Sequence, residues 1–206
     1  AVLPRIVALG EIDEDELIFA DVATGAPALE IAPKISGLER RLLLANLITA
    51  WAKQIQPRSG DPPLVVAGPA SAMALADDLA RLIDDMITRQ VDWKELGSLV
   101  PEEHDEYWQL TLRFLKVASD LWPPILKERK RIEAAERRDL LIAAEASRLR
   151  RARRGPVIAA GSTGSMPATA DFLKAIAMLP DGAVVLPGLD MELDDEAWSA
   201  IGDSDK

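Results

Sequence analysis

The chain has 206 residues, 49% of them hydrophobic, with 24 Lys/Arg against 34 Asp/Glu and a net charge of −10. That apolar share supports a packed core and excludes wholesale disorder, while the acidic balance argues against a protein that coats nucleic acid generally. The absence of cysteine excludes disulfides, cysteine-ligated zinc, iron–sulfur clusters and thiol nucleophiles and fits a cytoplasmic setting, and no apolar run approaches the ~18 residues that would suggest a membrane span.

Residues 1–9, with Val2, Leu3, Ile6 and Val7, read as one strand, and Pro4 puts it near an edge or a strand start. The chain starts at Ala1 rather than Met and shows no secretory leader, so it is expected to be cut from a longer protein. Residues 10–33 are acidic, then rich in Ala, Gly and Pro. The cluster Glu11, Asp13, Glu14, Asp15, Glu16 has the oxygen donors a hard cation wants, although consecutive exposed carboxylates ordinarily face water.

A first helix is expected near Ser36, because Ser36 and Glu39 have capping-box spacing and Leu44, Ile48, Trp51 and Ile55 line one face. The Pro- and Gly-rich segment 57–63 breaks it, and 64–67 is strand-like or merely extended. Ser71 is expected to cap a second helix whose apolar face carries Leu75, Leu79, Leu82, Ile83 and Met86. Residues 91–100 read as a short connection containing Trp93. Pro101, with Glu102 and Glu103 in its first turn, opens a third helix with His104, Trp108, Leu112, Leu115 and Trp122 on its stripe, and Pro123-Pro124 kinks or ends it. His104, the only histidine, has no partner at a recognisable spacing and reads as structural. Helical character resumes through Leu140, Leu141, Ile142 and Leu149. Residues 127–154 hold eleven Lys/Arg against five Asp/Glu, a basic segment that is either a solvated helix face or a local phosphate-binding face.

The most informative stretch is 155–190. Val157-Ile158-Ala159-Ala160 suits a strand covered on both faces of a parallel sheet. Gly161-Ser162-Thr163-Gly164-Ser165 supplies turn chemistry, and Pro167 fits a helix start. Phe172, Leu173, Ile176 and Leu179 recur at helical spacing, and Ala183-Val184-Val185-Leu186 forms the next strand. The reading is a β-turn-α-β unit with parallel strands and a right-handed crossover. Chain order therefore gives a strand, a helical middle and a β-α-β end: an α/β sheet domain (1–35 and 155–206) interrupted by a mostly helical insertion (36–154).

Motifs of chemistry are sparse. There is no G-x-x-x-x-G-K-[ST] loop. The small-residue turn 161–165 follows a strand and precedes a helix, as a phosphate cradle does, but lacks the neutralising lysine. No nucleophile elbow or paired-carboxylate signature stands out. The residues themselves point to no catalytic or metal site.

The segments P-V-I-A-A-G-S-T-G-S-M-P-A-T-A-D-F-L and V-V-L-P-G-L-D, together with V-L-P-R-I-V-A-L-G-E-I-D-E-D-E-L near the start, G-P-A-S-A-M-A-L-A-D-D-L-A-R-L-I-D and W-Q-L-T-L-R-F-L, resemble the N-terminal region of the AddB family. These are helicase-like nuclease subunits of bacterial AddAB (RecBCD-like) double-strand-break repair complexes. The resemblance implies a partial RecA-like sheet domain of helicase type, interrupted by the helical insertion. It also implies an AddA-type helicase–nuclease partner and single- or double-stranded DNA as ligand, with no membrane. The family's nuclease centre and iron–sulfur cysteines would lie downstream of this chain, and a phosphate loop, if the parent has one, upstream of Ala1.

In working helicases of this kind, the strand matching Val157–Ala160 ends in an Asp-Glu pair that organises Mg²⁺ and the attacking water for ATP hydrolysis. Ala160 and Gly161 stand there here, and neither binds a metal or polarises water. The resemblance thus implies a non-catalytic module, without ATP, Mg²⁺ or an iron–sulfur cluster of its own, that guides or recognises single-stranded DNA. Ser162, Thr163, Arg148, Arg150, Arg151, Arg153 and Arg154 are the candidate phosphate contacts. The rival expectation is a scaffold that binds the partner motor subunit without touching DNA.

Overall fold

The computed structural model describes residues 6–9, 31–54, 68–98, 106–151, 155–188 and 192–202. Its elements are α1 (Gly37–Gln54), α2 (Pro69–Arg89), α3 (Trp93–Ser98), α4 (Glu106–Lys116), a π-helical turn (Val117–Leu121), α5 (Trp122–Glu128), α6 (Ala134–Arg151), β1 (Val157–Ala160), α7 (Pro167–Ala177), β2 (Gly182–Val185) and α8 (Asp195–Gly202). The described part is mostly helical, with a single two-stranded parallel sheet.

Two cores form, and each follows from the apolar spacing of its helices. In the first, Leu44 and Ile48 of α1 meet Ala72, Ala76, Leu79 and Ile83 of α2, and Val117, Trp122 and Leu126 close the far side. Alanines at 72 and 76 let α1 and α2 approach closely. Trp51 adds an edge-to-face contact with Phe114, ring centroids 5.1 Å apart. The second core sets Ile142 and Ala146 of α6 against Phe172, Leu173, Ala175 and Ile176 of α7, with Ala159 of β1 beneath them. Ile35 packs into the first core, and its amide donates to the Ile132 carbonyl at 3.0 Å beside an isolated parallel bridge between Lys34 and Ile132. The chain therefore enters α6 from a clasp on the helical side and leaves it for the sheet.

Several local expectations are revised. Ser36 does cap α1, its Oγ accepting from the Glu39 amide at 3.2 Å, but the Glu39 carboxylate turns to Arg129 at 2.8 Å rather than back to the cap. Ser71 caps nothing: α2 begins at Pro69 with Gly68 as its extended N-cap. The connection 91–100 contains a helix of its own, α3. Pro123 and Pro124 do not end the third helix. A π-helical turn precedes them, with the Trp122 amide bonded to the Val117 carbonyl, and the prolines then occupy the first turn of α5, where missing amides leave nothing unsatisfied. Residues 6–9 form no strand; Leu9 packs on the second core while Ile6 and Val7 stay exposed. The acidic cluster 11–16, segment 57–67, His104 and Ile55 lie outside the described residues.

Candidate functional site

The 155–188 unit folds as its spacing dictates. β1 pairs in parallel with β2 in the register Val157↔Gly182 to Ala160↔Val185, and α7 crosses between them. Met166 takes an extended conformation and Pro167 starts the helix. Gly182 is a steric requirement: a Cβ there would overlap the Ile176 carbonyl oxygen of α7. A glycine is what lets the strand enter directly beneath the helix end.

The strand is not covered on both faces. Ala159, Val157 and Val184 face α7, but Ile158 is 68% and Val185 57% exposed on the opposite side, with Ala160 and Ala183 also exposed. Among the described residues, one helix covers one face of a two-stranded parallel sheet, and nothing covers the other. Parallel sheets ordinarily bury both.

The end of β1 and the turn after it carry four of the sequence-predicted positions, Ala160 to Thr163. The Gly161 amide donates to the Val185 carbonyl at 3.1 Å, and its φ of 82° is left-handed, which glycine adopts without strain. The Ser162 Oγ accepts from the Gly164 amide at 3.4 Å, and Thr163 Oγ1 lies 3.4 Å from Ser165 Oγ. Thr163 is exposed and Ser162 half-buried. Ala160 and Gly161 are exposed, and no carboxylate occupies the strand end. The turn offers hydroxyls and amides but no general acid, base or metal ligand.

The described arginines at the end of α6 find partners on their own helix or line a groove. Arg148 is held by Glu145 three residues back, Nε to Oε2 at 2.6 Å. Arg151 donates from Nε to the Ser147 carbonyl at 3.2 Å. Arg150 lines a groove of about 780 Å³ between α2, α6 and α7, whose walls also carry Gln90, Glu136, Asp171 and Lys174. Arg153 and Arg154 lie outside the described residues. Helical geometry accounts for the dispersion, since consecutive helix positions do not share a face.

A second cluster escaped the sequence reading. Glu133, 2% exposed, sits where α1, α2, α5 and α6 converge. Its Oε1 accepts from Trp122 Nε1 at 2.6 Å and from Arg40 Nε at 3.2 Å. Its Oε2 lies 3.0 Å from the same Arg40 nitrogen but has no well-directed hydrogen bond among the described residues. Arg40 also grips Asp84 through both guanidinium ends at 3.0 and 2.9 Å and the Ala80 carbonyl at 3.0 Å. Burial pushes the Glu133 carboxyl above its ordinary value of 4.5, against the pull of Arg40 and the Trp122 bond and with a small push from Asp84. The group is buried and ties α1, α2 and α5 together through Arg40, Asp84 and Trp122, so its role is read as structural. Its partners lie 93 and 44 residues from Arg40 in sequence, beyond the reach of any spacing rule.

No group of three or more His, Cys, Asp or Glu side chains fit to hold a metal occurs among the described residues, and no described helix is long and apolar enough to cross a membrane. No family model, curated protein or solved structure matches the chain.

Proposed function

We propose that the chain is the N-terminal, helicase-like but non-catalytic module of an AddB-type subunit of a double-strand-break repair helicase–nuclease, guiding or recognising DNA beside an AddA-type motor. In this reading the β-α-β unit belongs to a partial RecA-like domain, and the helical lobe is its insertion. The observation that carries it is the end of β1. The turn after a parallel strand and before a helix is where such folds hold a nucleotide and its metal, yet Ala160 and Gly161 supply neither a metal ligand nor a water-orienting carboxylate. Ser162 and Thr163 keep hydroxyls there, which serve phosphate oxygens as hydrogen-bond partners without chemistry.

The proposal expects no ATP hydrolysis by this chain with Mg²⁺ and single-stranded DNA present. Phosphate release above a no-protein blank that disappears when Ser162 and Thr163 are both changed to Ala would overturn it.

A second reading, a scaffold for the partner subunit, is favoured by the uncovered sheet face at Ile158 and Val185. Apolar surface of this kind is usually completed by another element or chain. The two readings separate on nucleic-acid binding, which the scaffold does not need.

A further inference from the structure

The densest run of cations among the described residues is at neither the 161–165 turn nor the end of α6. It lies where α5 turns into α6. Lys127, Arg129, Lys130 and Arg131 fall in five consecutive residues. The parallel bridge of Lys34 with Ile132 brings a fifth cation beside them. Two carboxylates belong to this surface. Glu39 is engaged by Arg129 at 2.8 Å, and Glu128 is exposed. Lys34, Lys127 and Lys130 are exposed, and neither they nor Arg131 has an acidic partner within ion-pair distance among the described residues.

The turn itself is fixed. The amides of Arg129, Lys130 and Arg131 close onto the carbonyls of Ile125, Lys127 and Leu126 at 3.1, 3.1 and 2.9 Å, and Lys130 holds a left-handed φ of 54°. The α5 carbonyls are therefore already capped by backbone. One cation near a helix C-terminus answers the dipole. Several crowded on a seven-residue helix end repel one another and add nothing to that end.

We infer that this turn, Lys127 to Arg131 with Lys34, is a docking surface for the phosphate backbone of a nucleic acid. The inference rests on the nucleic-acid reading above and assigns it a site. Like charges held together in excess of their counter-charges gain from a polyanion, because each neutralised phosphate releases condensed counterions. Residues 127–131 include no aromatic side chain on which a base could stack, so the turn positions a strand rather than reading bases. No large apolar side chain is exposed within 127–131, which disfavours a membrane surface, where amphipathic binding needs an apolar anchor. The acidic balance of the whole chain, −10, disfavours a polyanion over much of the remaining surface and so biases where a strand docks.

The test is fluorescence anisotropy of labelled single-stranded and duplex oligonucleotides with the 206-residue chain, compared with a variant carrying Lys127→Gln, Lys130→Asn and Arg131→Gln. Asn tolerates the left-handed backbone at 130. A milder Lys34→Gln, Lys127→Gln variant guards against a folding defect, and thermal unfolding checks both. The expected result is an affinity loss of about tenfold or more for the triple variant, with a single-strand salt slope shallower by about 2. The double variant should fall between it and wild type. Equal binding by wild type and both variants would overturn the site while leaving the nucleic-acid reading intact. A wild-type chain that binds no oligonucleotide overturns both. Binding to anionic phospholipid vesicles or to an acidic polypeptide, with none to oligonucleotides, also overturns both and points to that partner instead.

Discussion

At the scale of single residues, Glu133 is where the helical lobe is most exposed to perturbation. Its carboxylate accepts from Trp122 and Arg40 while 2% exposed. Removing it leaves the indole N–H buried without an acceptor and strips Arg40 of one of its two carboxylates. Glu133→Ala should therefore destabilise the chain by about 3 kcal/mol, the lower end for a broken buried pair because Asp84 still holds Arg40. Chemical denaturation at neutral pH measures this, and a loss below about 1 kcal/mol would mean that the network is idle. The same residue predicts a pH effect of definite sign. A carboxyl whose folded pKa is raised keeps its proton longer in the folded state, so the folded state binds more protons in that window. The contribution of Glu133 is thus fully present below its unfolded value near 4.5 and is lost as pH rises through the raised folded value. Glu133→Gln keeps an acceptor for Trp122 and cannot ionise. Relative to that variant, the wild type should lose stability as pH is raised from about 4.5; a pH-independent difference contradicts the assignment.

At the scale of elements, β1, α7 and β2 stand on glycine at 182 and on one-sided cover. Gly182→Ala pushes a methyl into the Ile176 carbonyl oxygen, with the Leu179 Cβ also 3.0 Å away. The strand must then move off α7, at a cost of about 2 kcal/mol or more, to be read by denaturant titration. Gly161→Ala puts a Cβ into open space but at positive φ and should cost about 1–2 kcal/mol, from backbone strain alone. Equal and negligible effects at both glycines would remove the distinction. These elements were legible in the sequence because their signals are local: apolar runs of four, a small-residue turn, Pro167 and helical spacing of Phe172, Leu173 and Ile176. The Ser36 cap was legible for the same reason. The left-handed helix ends at Gln90 and Lys130 were not, because neither is the Gly that announces such an end. The start of α2 was misjudged because Gly68-Pro69 does by backbone geometry what Ser71 was expected to do by side chain.

At the scale of the whole molecule, α6 starts beside the Lys34–Ile132 clasp of the helical side and carries one wall of the second core against α7. Sequence composition located a basic segment at 127–154 but could not divide it. Pairing did so in part, since Arg148 is held by Glu145 whereas the exposed Lys127 and Lys130 and the half-buried Arg131 have no acidic partner among the described residues. Nor could sequence foresee that the strands would keep an uncovered face, because Val157–Ala160 reads the same whether one or two layers pack on it. A module that guides DNA through a few phosphate contacts should bind single strands weakly and with strong salt dependence, whereas a scaffold should not bind them at all. The most direct measurement is the affinity of the wild-type chain for a labelled single strand across about 50 to 200 mM salt. The account predicts binding at the low end, with log affinity falling linearly with log salt at a slope near −2 or steeper, as three or more phosphate contacts require. No binding at low salt, or an affinity indifferent to salt, would contradict it.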